Sequence, residues 1–229
     1  MTMTACSRPD YLRETLESLA KNKHLDKFTL HFGVEPVNPE VLKVCQTVSF
    51  MDTHVHLNAV RLGVRENPYQ LLKRTFGMGY DGVLYLEDDV ALSPDAVELV
   101  LDFVQNADVE RHRSLCLYNT DSRADADPAV IETGHSATKF SPWVFFTTAA
   151  HWSNFFAPTW HTSPKGWDWS ITATGTTNQV ALPAISRTHH IGRFGGVHYV
   201  AKHHDHLFAN NPYHRGDAPT QYAYREATP

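Results

Sequence analysis

Cysteine is scarce in this sequence, and its spacing is irregular. The 229 residues contain three cysteines, Cys6, Cys45 and Cys116. An odd number of widely separated cysteines provides neither a disulfide framework nor the paired spacing of a cysteine-bound metal site. We therefore expect free, buried thiols and a protein made in a reducing cytoplasm.

Long apolar runs and an excess of positive charge are missing as well. No segment reaches the roughly 18 consecutive apolar residues that a membrane span needs. The start, MTMTACSRPD, has no basic region followed by an apolar one, as a signal peptide would. The formal net charge is −5. These features predict a soluble cytoplasmic protein without a membrane partner, and they disfavour a general polyanion binder.

What the sequence does contain is a regular alternation of extended and helical patterns. Hydrophobic residues make up 42% of the chain, enough for a sizeable core. The stretches TMTAC, FTLHFGV, HVHLNAV and GVLYL predict strands, and helices are predicted to begin at Pro9, at Pro68 and at Pro94, the last capped by Ser93. This alternation predicts an α/β fold with a mainly parallel twisted sheet and helices on both faces.

No repeat or clean linker interrupts the pattern, so we expect a single domain over residues 1–229. The pattern loosens after Asn119, and histidine becomes frequent after Ser186. The residues after Asn210 show little periodicity, which is typical of a loosely packed arm.

Three carboxylates, Glu87, Asp88 and Asp89, end the most apolar predicted strand. Neighbouring acids raise the cost of ionising one another, so a positive group is expected nearby. Alternation along the strand places Glu87 and Asp89 on one side and Asp88 on the other. A divalent cation bridging nucleotide phosphates would supply the charge. The alternative is an ordinary acidic segment before a helix N-terminus.

Four segments of the chain together resemble one enzyme group. YLEDDVALSPD looks like the metal-binding segment of GT-A fold glycosyltransferases, closest to the N-acetylglucosaminyltransferase I group. TACSRPDYLRETLESL is similar to that group's first strand, loop and helix. SPWVFFTTAAHW followed by GWDWSI resembles its acceptor-side segment, and ISRTHHIGRFGGVHYVAKHHDHL its closing stretch. The motifs occur in the family's order and span most of the chain.

The resemblance implies a nucleotide-sugar and metal-binding half over residues 1–118 and an acceptor half over residues 119–229. It assigns donor contacts to the first half: Arg8 to the nucleotide, Glu35 to the uridine, and Glu87 and Asp88 to the ribose and sugar. The implied donor is a UDP-sugar similar to UDP-GlcNAc.

The resemblance also implies a Mn²⁺ or Mg²⁺ ion held by Asp89 and His198, and a catalytic base at Asp168. In the inverting members of this fold, such an acid deprotonates the acceptor hydroxyl as it attacks the anomeric carbon. Trp167 and Trp169 flank this acid and would form apolar walls that raise its basicity and stack on a sugar or base. Trp167 is assigned to the donor.

Two departures from the family pattern bear on these roles. The family has two adjacent acids between its tryptophans, whereas Asp168 stands alone, so the base could have moved by one position. Where the family has a histidine before the acidic strand, this chain has Asn67 and Pro68, so contacts to the base and ribose could differ.

The acceptor is left open by the sequence. A glycan, a protein and a hydroxymethylated pyrimidine in DNA are the alternatives, with a small metabolite as a further one. A flipped base would need stacking surfaces and a phosphate-binding rim. Candidates are Trp143, Trp152, Trp160 and Trp167 for stacking, and Arg187, Arg193, Lys202, Arg215 and Arg225 for the rim.

Two other classes of function compete with glycosyl transfer. A nucleotidyltransferase also uses metal-bound carboxylates on an α/β sheet, but the loop CSRPDY lacks the glycines of a phosphate-binding loop. A non-catalytic nucleotide-sugar or metal-binding module needs no base, so the acid at position 168 favours catalysis over it.

Overall fold

The computed structural model describes residues 1–175, 179–195 and 201–227. Eleven strands occur in these ranges: β1 Thr2–Ala5, β2 Thr29–Val34, β3 Asp52–Leu57, β4 Gly82–Glu87, β5 Val90–Leu92, β6 Ser114–Cys116, β7 Val130–His135, β8 Val144–Thr148, β9 Val180–Pro183, β10 Thr188–His190 and β11 Ala223–Glu226. The α-helices are α1 Pro9–Leu19, α2 Pro39–Gln46, α3 Gly63–Gly77, α4 Ala96–Asn106, α5 Ala149–His151, α6 Ala157–Thr159, α7 Trp167–Thr172 and α8 Ala201–Phe208.

Nine strands form one sheet in the order β11-β7-β9-β6-β8-β4-β1-β2-β3. Five of its eight neighbouring pairs are parallel, and the block β4-β1-β2-β3 is parallel throughout. The remaining strands, β5 and β10, pair antiparallel as a small second sheet. Helices flank the large sheet, so the predicted mixed α/β architecture is confirmed.

The predicted strands and the first helix form for the reasons their sequences indicate. Four residues of β4, GVLYLE, are buried, as its continuous apolar run requires in the middle of a sheet. Helix α1 starts with Pro9 at its first position and buries Leu12, Leu16 and Leu19 along one face.

Two predicted helix starts were wrong. Helix α3 begins at Gly63, five residues before Pro68, because the buried Glu35 carboxylate accepts hydrogen bonds from the Leu62 and Gly63 amides. These amides would otherwise lack partners at the helix end. Helix α4 begins at Ala96, because the Ser93 hydroxyl donates to the His214 carbonyl instead of capping the helix.

The C-terminal residues differ from the loose arm that the sequence predicted. Ala223–Glu226 joins the edge of the large sheet, parallel to β7. The Tyr222 hydroxyl donates to the buried carboxylate of Asp95, which also accepts from the fully buried Arg187. The end of the chain is therefore anchored by one sheet edge and one buried charge pair.

A chain of hydrogen bonds links the buried His31 of β2 to His56 of β3, Arg74 of α3 and Tyr80. Arg74 donates to Nδ1 of His56 at 3.0 Å, which leaves Nε2–H of His56 to donate to Nδ1 of His31 at 3.3 Å. Nε2 of His31 then faces the Tyr80 hydroxyl at 3.1 Å. Because arginine only donates, both imidazoles are fixed in one neutral tautomer.

The three cysteines are free thiols, as expected, and Cys45 and Cys116 are buried. Cys6, also expected to be buried, is half-buried. Across residues 1–175, 179–195 and 201–227, every helix is too short or too polar to cross a bilayer.

Candidate active site

The largest group of predicted site residues lines one cavity of about 600 Å³. It opens where the parallel strands β1, β2 and β4 reach their carboxyl ends, the usual position of ligands in such sheets. Two groups of residues form parts of its lining. The acidic wall consists of Arg8, Glu87, Asp88, Asp89 and His190, and the tryptophan wall consists of residues 165–169.

Arg8 forms ion pairs with two carboxylates of the acidic wall. Its Nη2 atom lies 2.6 Å from Oδ2 of Asp89 and 3.2 Å from Oδ1 of Asp88. The other oxygen of Asp88 accepts from the backbone amide of Cys6 at 3.0 Å. Arg8, which the sequence assigned to the nucleotide, thus also acts as the counter-ion of two carboxylates.

His190 completes this wall, and the sequence did not single it out. β10 pairs antiparallel with β5, with His190 opposite Val90, and the Ile191 amide donates to the Asp89 carbonyl at 2.8 Å. Nε2 of His190 consequently lies 3.5 Å from Oδ2 of Asp89. The Gly192 amide donates to Nδ1 at 3.2 Å, and the ring stacks on Phe208, so its orientation is fixed.

The wall carries more negative charge than Arg8 can balance. Burial, followed by the charges of Asp89 and Asp88, raises the pKa of Glu87 well above its ordinary value. Burial and the Asp89 charge raise the pKa of Asp88 to about 6, although Arg8 opposes the shift. Burial lowers the pKa of His190 to about 4, so this ring is neutral at pH 7.

Glu87, Asp89 and His190 form a group able to hold a metal ion. One potential ligand atom from each residue lies within 4.8 Å of the others. Oδ1 of Asp89 is buried and, within the described part of the chain, has no hydrogen-bond partner. Two carboxylates with one neutral imidazole suit a divalent cation of the Mn²⁺ type. The donor set, the unpartnered oxygen and the excess negative charge all fit a bound cation.

Asp168 lines the same cavity as part of the tryptophan wall. It lies in the first turn of α7, half-buried, and its charge contributes to the raised pKa of Glu87. A Cβ added to Gly166 would overlap Oδ1 of Asp168 and would lie 3.3 Å from Cδ1 of Trp169. The absence of a side chain at Gly166 therefore makes room for the carboxylate.

The two tryptophans beside Asp168 differ in environment. Trp167 is 5% exposed and stacks on Trp160 with ring centroids 4.1 Å apart. Trp169 is 53% exposed, and the Lys165 ammonium lies 4.9 Å from its ring centroid. Trp167 belongs mainly to the core, and only its cavity edge is available to a ligand.

Glu35 and Asn67 line the cavity, but both make structural contacts. Both oxygens of Glu35 accept from the start of α3, as described above. The Asn67 side chain donates to the Gly33 carbonyl and accepts from Asn58. The position where the resembled family has histidine is therefore occupied by a residue that joins α3 to the sheet.

Several predicted contacts lie elsewhere. His198 lies outside the described residues. Trp152 and Trp160 are buried core residues, so the prediction that they stack on a flipped base was wrong. Arg187 is fully buried beside Asp95, so its place in the predicted phosphate-binding rim was wrong. Arg193 is exposed and pairs with Asp205, and the other predicted rim residues are exposed: Lys202, Arg215 and Arg225.

No protein-family model matches the chain, and no curated protein matches its sequence. Solved structures do resemble it. Residues 1–349 of TarS from S. aureus in complex with UDP-GlcNAc align with a TM-score of 0.63 at 14% identity, covering 87% of this chain and 61% of TarS 1–349. The same TarS fragment in complex with UDP gives a TM-score of 0.58 at 13% identity, with coverages of 80% and 57%.

The sheet, its flanking helices and these neighbours define a GT-A fold. The chain spans about three fifths of the length of TarS 1–349. The narrower likeness to the N-acetylglucosaminyltransferase I group stays a prediction from the sequence motifs.

Proposed function

We propose that this chain is a metal-dependent, inverting glycosyltransferase that moves a sugar from a UDP-sugar to an acceptor hydroxyl. The observation that carries the proposal is the cavity itself. On the acidic wall it holds a group able to bind a cation and a guanidinium, and on the tryptophan wall it holds the carboxylate of Asp168. A binding module would need the first wall and not the second.

The acidic wall is the donor side in this proposal. Arg8 contacts the nucleotide or its diphosphate while holding Asp88 and Asp89 in place. Glu87 and Asp88 contact the ribose and sugar, and Glu35 and Trp167 line the nucleotide and sugar pocket. The TarS structure with UDP-GlcNAc, on the same fold, supports a UDP-sugar as donor.

Asp89 and His190, joined by Glu87, would hold Mn²⁺ or Mg²⁺, with His190 in place of the predicted His198. When bound, the cation supplies positive charge to the departing diphosphate. Arg8 adds a second positive group close to that charge.

Asp168 acts as the general base. Its side chain lines the cavity on the tryptophan wall and directly follows Trp167 in the first turn of α7. In this position it takes the proton of the acceptor hydroxyl while that oxygen attacks the anomeric carbon from the face opposite the leaving UDP. Attack from the opposite face inverts the anomeric configuration.

Donor binding is tested by thermal unfolding with UDP, GDP, CMP and ADP, each with and without Mn²⁺. A ligand at about 100 times its dissociation constant stabilises the folded state by about 2.7 kcal/mol. We expect stabilisation by UDP only with Mn²⁺, and loss of this effect in Asp89→Ala and His190→Ala. If no nucleotide shifts the midpoint at saturation, the proposal is wrong.

Chemistry is tested separately with Asp168→Asn. Transfer, or hydrolysis of the UDP-sugar by water, is expected to fall at least about 100-fold, within the range for losing a general base. UDP and Mn²⁺ binding should change less than twofold, because Asp168 lies on the other wall. Wild-type turnover by the variant would remove Asp168 from the mechanism, and NMR of the product anomer decides between inversion and retention.

A further inference from the structure

Trp169 is unusual among the tryptophans of this chain. Trp152, Trp160 and Trp167 are at most 5% exposed and form part of one aromatic core cluster. Trp169 is 53% exposed, yet it lines the cavity and directly follows Asp168. The indole of Trp169 thus presents to the cavity an apolar surface that is not packed in the hydrophobic core.

The indole and the carboxylate of Asp168 lie side by side. Cδ1 of Trp169 and Oδ1 of Asp168 are both within 3.3 Å of the point where a Cβ on Gly166 would stand. A molecule resting on the indole would therefore place its nearest hydroxyl next to the carboxylate.

Lys165 adds a polar contact at the same place. Its ammonium lies 4.9 Å from the indole centroid, and residues 1–175, 179–195 and 201–227 offer it neither a carboxylate within 4 Å nor a hydrogen-bond acceptor. Its N–H groups remain available to oxygen atoms of a ligand over the ring.

We propose that Trp169 and Lys165 form the acceptor-binding platform and that the acceptor is a saccharide. A sugar ring has an apolar C–H face that covers an indole and a rim of hydroxyl oxygens that accept from an ammonium group. This inference rests on the proposed glycosyl transfer. It narrows the acceptor, which the proposed function leaves open, to a saccharide.

The structure favours a saccharide over a DNA base. A base flipped from DNA requires cationic contacts to the neighbouring phosphates. Arg187, one of the side chains predicted to provide them, is fully buried, and Arg193 is held by Asp205 in two hydrogen bonds. On the tryptophan wall, the exposed indole of Trp169 beside one carboxylate and the Lys165 ammonium suits a sugar better than a polyanion.

The test measures acceptor binding to the full chain saturated with UDP and Mn²⁺, by saturation-transfer NMR and calorimetry. The probes are N-acetyllactosamine, chitobiose, cellobiose and maltose, with a DNA oligonucleotide containing 5-hydroxymethylcytosine as the competing class. The variants are Trp169→Ala and Trp169→Phe. Phe194→Ala is the matched control, because Phe194 is 58% exposed with an arginine 4.9 Å from its ring centroid, but does not line the cavity.

We expect at least one saccharide to bind the wild type, Trp169→Ala to weaken it about tenfold or more, and Trp169→Phe to retain part of the affinity. Phe194→Ala should bind like the wild type. Equal saccharide affinity in Trp169→Ala and wild type would overturn the inference, as would a wild type that binds no saccharide or only the oligonucleotide. UDP binding by the variants, measured alongside, shows whether the donor site of the proposed function is intact in each case.

Discussion

The two walls of the cavity are built in different ways. On the acidic wall, hydrogen bonds to Arg8, the Cys6 amide and the Gly192 amide fix most of the polar side chains. On the tryptophan wall, Trp169 and Lys165 are exposed, and Asp168 depends mainly on the space left by Gly166. A fixed wall suits a constant ligand such as a nucleotide, and an open wall suits an acceptor that differs between related enzymes.

The largest expected effect comes from adding a side chain at Gly192, next to Asp89 and His190 of the acidic wall. A Cβ there would overlap the carboxylate of Asp89 and press on the His190 ring, so Gly192→Ala should weaken Mn²⁺-dependent UDP binding at least about 100-fold. Calorimetry measures the affinity. Gly77→Ala is the control, since a Cβ at Gly77 meets nothing within 4 Å. Unchanged UDP binding in Gly192→Ala would show that Asp89 and His190 are not the donor-side cation ligands.

Removing the positive charge of Arg8 from the acidic wall should have the next largest effect. Arg8→Met leaves three acids without a counter-ion, and we expect a loss of about 2 kcal/mol in the free energy of unfolding in metal-free buffer. Urea unfolding measures it. Arg13→Met is the control, because the ion pairs of Arg13 with Asp10 and Glu40 are solvent-exposed and should contribute under about 1 kcal/mol. Equal losses in the two variants would contradict a special role for Arg8.

Adding a side chain at Gly166 on the tryptophan wall should have a smaller effect, and this effect should be on the reaction rate. Gly166→Ala displaces Asp168, so the rate of transfer or UDP-sugar hydrolysis should fall about tenfold while UDP affinity stays within twofold of wild type. Steady-state kinetics and calorimetry on the same preparation measure both. A fall in UDP affinity as large as the fall in rate would mean that the tryptophan wall also determines donor binding.

The smallest expected effect is on how the free energy of unfolding changes with pH, through His31, which lies away from the cavity. Burial, followed by the N-terminal charge, His54 and His56, lowers the pKa of His31 to about 4. Unfolding restores an ordinary histidine that takes up a proton near pH 6.5, so His31 destabilises the fold as pH falls from 6.5 towards 4.

We expect this contribution to be about 1 kcal/mol, reduced from the ideal value by solvent screening and local relaxation. It should be absent in His31→Gln. Urea unfolding at several pH values measures the slope, and identical slopes for wild type and variant would contradict the assignment. Asp88 on the acidic wall has the opposite dependence, because its raised pKa favours the folded state as pH falls below about 6.

Local patterns predicted the first four strands of the large sheet and the run of acids at the end of β4. The apolar run of β4 and the acids that follow it are contiguous, so their positions follow from strand geometry alone. Asp168 and Trp167 were singled out through the resemblance of GWDWSI to the family's acceptor-side segment, and both line the cavity. The broad α/β architecture likewise follows from the alternation of strands and helices along the chain.

The remaining features depend on contacts between distant segments. His190 reaches Asp89 only through the pairing of β10 with β5, which no local pattern among the many histidines indicates. The start of α3 depends on Glu35, 28 residues before Gly63. The exposure of Trp169 and the burial of Arg187 are outcomes of packing, which sequence spacing does not determine.

The hydrogen bond from the Gly192 amide to Nδ1 of His190 has a thermodynamic consequence. While it is present, the hydrogen of the neutral ring sits on Nε2, the nitrogen beside Asp89. A cation at Nε2 requires that hydrogen on Nδ1 instead, where the amide can no longer donate. In the proposed function, ion occupancy and the backbone at Gly192 would thus be linked, and linkage is reciprocal. Any ligand that turns this peptide away from His190 raises the affinity of the ion by the same factor by which the ion raises the affinity of that ligand.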